Sequence, residues 1–128
     1  MSEKSDNYFN LLNPDDLYCR IEFYRADLLS ISMYEVMEKP LLYLYFYTPT
    51  YIQLPREWKG ASFRLGNLEE HITLWASIWA GSMTQEEFLK YSHLYIAEVD
   101  TDLQSPKTVQ IVASKAGIDK AKSVTQNE

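Results

Sequence analysis

Apolar and tyrosine positions alternate strictly over residues 41–47. Leu42, Leu44 and Phe46 fall on one side of an extended chain, and Tyr43, Tyr45 and Tyr47 on the other. This predicts a strand with one greasy face and one phenolic face. "LYIAEVD" at 94–100 repeats the pattern, with Leu94 and Ile96 pointing one way and Tyr95, Ala97 and Val99 the other. Gly60 and Gly66 bracket a shorter candidate strand, "ASFRL".

Helical spacing is clearest in "GNLEEHITLWASIWAG". Leu68, Ile72, Trp75 and Trp79 form a stripe, with His71, Leu74 and Ile78 alongside it. Asn67 with Glu70 has capping-box spacing, and Gly81 suits the stop, so a helix is expected near 67–80. Thr84 with Glu87 repeats the box and predicts a second helix near 85–92.

Residues 14–38 carry two competing periods. Asn13, Pro14, Asp15 and Asp16 read as a helix start. Leu17, Ile21, Tyr24, Leu28 and Ile31 continue at helical spacing, whereas Cys19, Ile21 and Phe23 in "YCRIEFY" alternate like a strand. The helical reading is adopted, ending before Pro40 with a break near Arg25–Asp27. The expected fold is therefore α+β. A small sheet containing strands near 41–47 and 94–99 is covered by helices near 14–38, 67–80 and 85–92.

All eighteen aromatic residues lie between Tyr8 and Tyr95. This places a single compact domain at 1–100, followed by a polar, weakly ordered tail at 101–128. At 46% hydrophobic residues the chain is rich enough in apolar groups to fold. The longest apolar run, "LLYLYFY", falls far short of the roughly 20 residues a spanning helix needs.

The net charge of −6 is uneven: 8 basic and 15 acidic residues over 1–100 give −7, and 4 basic and 3 acidic over 101–128 give +1. An acidic body disfavours phosphate backbones and anionic lipid, so neither nucleic acid nor membrane is expected as a partner. A lone Cys19 and a polar start, "MSEKSDNYFN", favour a reducing, cytoplasmic setting.

The candidate chemistry is sparse. Four glycines permit neither a P-loop nor a dinucleotide fingerprint, and no serine sits in a G-x-S-x-G elbow. His71 and His93 match no zinc spacing. Cys19 reads as a buried, inert thiol. What remains is an aromatic surplus. Tyr43, Tyr45 and Tyr47, with Tyr51 just beyond them and Trp58 in the polar loop "PREWKG", are the candidate partner-binding residues.

No lysine or arginine occurs between Lys39 and Arg56 to add a basic groove. The expected function is a small cytosolic protein-binding module, an accessory, assembly or regulatory factor. It has no catalysis of its own and no cofactor, and its partner is another protein; a homo-oligomer is compatible with this. The competing expectation is a small enzyme or ligand-binding protein whose aromatic-lined pocket uses His71 or His93. A flat exposed aromatic patch would favour the first, and a concave pocket holding a histidine the second.

Overall fold

A computed structural model describes residues 8–11, 13–36, 39–99 and 108–120. Helix-start chemistry at Pro14–Asp16 yields only one 3-10 turn. The chain then runs into an antiparallel hairpin, β1 (Tyr18–Arg25) and β2 (Leu28–Tyr34), joined through Ala26 and Asp27. This corrects the helix expected near 14–38, of which residues 37 and 38 lie outside the described residues.

The reason lies in a β-bulge. Pairing slips between Ile21↔Ile31 and Phe23↔Ser30, leaving Glu22 as the extra residue. Residues directly opposite across a ladder share a face. Cys19 and Ile21 therefore point inward with period two, and the bulge returns Tyr24 to that side, opposite Leu29, after a step of three. A three-residue step in a strand imitates one turn of helix.

Three further strands follow β2: β3 (Leu42–Tyr47), β4 (Tyr51–Gln53) and β5 (Glu57–Lys59). After β6 (Phe63–Leu65) come the two helices, α1 (Leu68–Ile78) and α2 (Gln85–Tyr91). Strands β7 (His93–Glu98), β8 (Thr108–Ala113) and β9 (Lys115–Lys120) complete the described chain. All pairings are antiparallel, in two sheets ordered β5-β1-β2-β3-β9 and β4-β8-β7-β6. The class is α+β.

The strands expected in one sheet, 41–47 and 94–99, belong to opposite sheets and meet face to face. The Phe46 ring lies 5.2 Å from Tyr95 and 5.6 Å from Phe63. Around these rings Ile31, Met33 and Leu44 from the first sheet meet Val109 and Ile111 from the second, all fully buried.

The outer side of the second sheet carries Leu94, Ile96 and Val112, and here both helices dock through Phe88, Leu74, Trp75 and Trp79. Both capping boxes form as expected. The seated face of α1 runs through His71, Leu74 and Trp75, while Leu68, expected in the buried stripe, is 63% exposed. The layers are thus sheet, sheet, helices, and among the described residues only the second sheet is covered by helices.

The polar tail expected at 101–128 needs the largest correction. Residues 101–107 and 121–128 lie outside the described residues, but 108–120 supply β8 and β9. β8 sits between β4 and β7, and the chain crosses at Ser114 to put β9 on the edge of the first sheet beside β3. Val109, Ile111 and Val112 need no aromatic neighbours in sequence to make a buried strand, because β-branched side chains pack well on a pleated surface.

Candidate functional site

The alternation of β3 buries Leu44 and Phe46 completely and leaves Tyr43, Tyr45 and Tyr47 half-buried on the opposite face. Among the described residues no helix lies over this outer face of the first sheet. Ladder register sets what surrounds each phenol. Tyr45 lies between Ser30 and Gly117, Tyr43 between Ser32 and Asp119, and Tyr47 between Leu28 and Lys115.

Small neighbours leave room for the rings to lie over the sheet. Tyr43 and Tyr45 stack, with centroids 6.4 Å apart and planes at 29°, while Ser30 and Ser32 beneath them are closed off from solvent. The Ser32 hydroxyl is 3.3 Å from that of Tyr34. Partial burial, then the charge of Glu22, holds the Tyr43 phenol above its ordinary pKa. Burial followed by Asp119 does the same for Tyr45. Both phenols stay neutral and remain hydrogen-bond donors.

Cations ring this face, although none adjoins the tyrosines in sequence. Lys115 Nζ lies 5.2 Å above the Tyr47 ring and Arg20 Cζ 5.4 Å above Tyr34. Arg25 covers Phe23 at 5.3 Å and Lys59 covers Tyr18 at 5.6 Å. Distances within about 6 Å allow attraction to the ring quadrupole. Glu22, Glu57 and Asp119 accompany them, so the face is aromatic with both charge signs at its perimeter. No sequence signal marks Arg20, Lys59 or Lys115 as its neighbours; they arrive through the pairing of β1, β5 and β9.

The remaining expected site residues lie elsewhere. Tyr51 belongs to the second sheet, where its ring meets Trp79 at 6.2 Å and its hydroxyl lies 3.3 Å from Gln53 Oε1. Trp58 is corrected from exposed anchor to core: it is 4% exposed and opposite Cys19, and its Nε1 donates to the Gly60 carbonyl at 2.8 Å. The loop signals around it frame a three-residue edge strand whose middle side chain points inward. Burial pushes the Cys19 thiol up to about 12, so it is protonated and inert.

The histidines do not form one site. The Ser92 hydroxyl donates to the Phe88 carbonyl at 2.6 Å, so its lone pairs are left to accept from His71 Nε2 at 3.3 Å. Burial, aided by nearby His93, keeps the His71 pKa below its ordinary value, and the ring stays neutral against Phe88. With its single proton given to a carbonyl, Ser92 is not positioned as a nucleophile activated by His71. His93 is exposed, with its ring 6.2 Å from Tyr95. Among the described residues no group of three or more His, Cys, Asp or Glu side chains could hold a metal ion, and no helix is long and apolar enough to cross a membrane.

A cleft of about 380 Å³ opens on the helix side, between α2 and the segment linking β3 to β4. Trp79, Met83, Phe88 and Tyr91 form its apolar walls, and Glu87 is also among its lining residues. Trp79 was expected only as core; part of its surface faces this cleft. Comparison of the chain with protein-family models, with curated proteins and with solved structures returns no match.

Proposed function

We propose that this chain is a cytosolic protein-binding module, an accessory, assembly or regulatory factor without catalysis of its own, that acts through the outer face of its first sheet. The observation that carries this reading is the stacked, half-exposed Tyr43–Tyr45 pair on a sheet face that, among the described residues, no helix covers. Tyrosine offers a large contact area for the loss of few rotamers, and arginine and tyrosine are enriched where proteins meet. Lys115 and Arg20, steadied over neighbouring rings, can pair with carboxylates of a partner at the rim. Glu22, Glu57 and Asp119 on the same face disfavour a polyanion such as single-stranded nucleic acid. Tyr51 and Trp58 are outside this proposal.

The test begins with a pull-down from native lysate, with the partner identified by mass spectrometry. Binding of the purified partner is then measured by calorimetry. Tyr45→Ala and Tyr43→Ala should each weaken it by about 2 kcal/mol or more, while the cooperative melt is retained. Tyr24→Ala, which alters an exposed ring away from the stack, should leave binding unchanged. Wild-type affinity in both stack variants refutes the proposal, and so does their unfolding.

A further inference from the structure

The helix-side cleft has a chemistry of its own, independent of the tyrosine face. Its volume, about 380 Å³, falls at the lower end of small-molecule sites. Both walls are preformed. On one side Trp75 Nε1 donates to the Met83 carbonyl at 2.8 Å, fixing the turn between the helices. On the other, Thr50 N donates to the Val112 carbonyl at 2.8 Å and Ser114 N to the Tyr47 carbonyl at 2.9 Å, tying the segment between the sheets. In that segment Thr48 adopts φ 52°, a left-handed conformation uncommon for a β-branched residue. Such outliers concentrate at binding sites, where the surrounding structure holds them.

The lining selects a ligand. The Trp79 and Phe88 rings, 4.7 Å apart and tilted by 30°, form an apolar wall that His71 backs from behind Phe88. Among the described residues Glu87 is the only charged residue lining the cleft, and no lysine, arginine or histidine lines it. Its carboxylate makes a long contact of 3.5 Å with the Thr84 amide, leaving most of its acceptor capacity unused. Thr50 and Ser114 also line it, the Ser114 hydroxyl donating to the Tyr47 carbonyl at 3.0 Å.

An anion entering here would meet Glu87 with no cationic side chain lining the cleft among the described residues, inside a chain of net charge −6. A cation with an apolar body is complementary to both wall and carboxylate. Lys90 Nζ lies 5.3 Å over the Tyr91 ring, and Lys90 itself is not a lining residue of the cleft. We propose that this cleft binds a small organic amine, its ammonium on the Glu87 carboxylate and its aromatic or alkyl body against Trp79, Met83 and Phe88.

The probe is 2-phenylethylamine, titrated into the full chain by calorimetry, with backbone amide shifts locating the site. 3-Phenylpropanoate and 2-phenylethanol serve as matched anion and neutral ligand. The amine should bind saturably, with shifts centred on residues 79–91, and at least tenfold more tightly than the propanoate. Glu87→Gln retains a capping acceptor at this position and should weaken the amine at least tenfold. Glu86→Gln, one residue away and off the lining, should change affinity less than twofold. The proposal is overturned if the amine does not saturate, if the propanoate binds as well, or if the two glutamate variants behave alike.

Discussion

Ile111→Ala tests whether residues 108–120 belong to the core. Ile111 is 0% exposed on β8, paired with Ile52 on one side and Tyr95 on the other. Truncating a buried isoleucine to alanine costs about 2–5 kcal/mol, depending on how far the surroundings collapse. Here collapse is restrained. Both neighbouring strands are hydrogen-bonded to β8, and Val109 and Phe46 are already close-packed in the same core. The upper half of the range, about 3–5 kcal/mol, is therefore expected. A domain of this size has only about 5–15 kcal/mol of stability. At roughly 3–5 °C per kcal/mol for a chain of this length, Tm should fall by about 10–25 °C. Urea unfolding followed by circular dichroism at constant slope gives the same quantity independently. A loss below about 0.5 kcal/mol, the level of an ordinary surface substitution, would show that β8 is not docked.

Trp58→Phe removes the indole donor to the Gly60 carbonyl, leaving it only the long 3.7 Å contact from the Cys19 thiol, and should cost about 1–3 kcal/mol; a neutral effect on the urea midpoint would return Trp58 to the surface. The folded-state pKa of His71 lies below its ordinary 6.5, so the unfolded chain takes the proton first and stability must drop as pH falls through 6.5. Comparing urea midpoints at pH 7.5 and 5.5 should show this drop in the native sequence and a smaller one in His71→Gln; equal drops would contradict its neutral burial. Arg64, donating to both Glu70 oxygens at 2.8 and 2.9 Å, together with the Asn67 amide holds the Glu70 carboxyl down at about 2. Its contribution is present above the ordinary 4.5 and lost as pH falls toward 2. Because the pair is a third to a half exposed, Glu70→Gln should cost no more than about 1 kcal/mol at pH 7; a much larger loss in the urea midpoint would mean the capping box depends on the charge.

What the sequence determined by itself is local. The alternation at 42–47 sorts Leu44 and Phe46 from Tyr43 and Tyr45 because successive side chains in a strand take opposite faces whatever lies beyond them. Asn67 with Glu70, and Thr84 with Glu87, place both helix starts because each box satisfies amides within four residues.

Pairing and burial were decided by the tertiary structure. The step from Ile21 to Tyr24 reads as helix until β2 and β5 flank β1 and the extra residue becomes a bulge. β3 and β7 look alike in sequence, and only the partners each finds assign them to opposite sheets. The inward turn of Trp58, the place of 108–120 between the sheets, and the arrival of Arg20, Lys59 and Lys115 around the tyrosines all depend on contacts between distant residues. Such contacts leave no periodic trace in the chain, because a strand's partner is fixed by which pairing buries both inner faces and satisfies both rows of backbone groups at once.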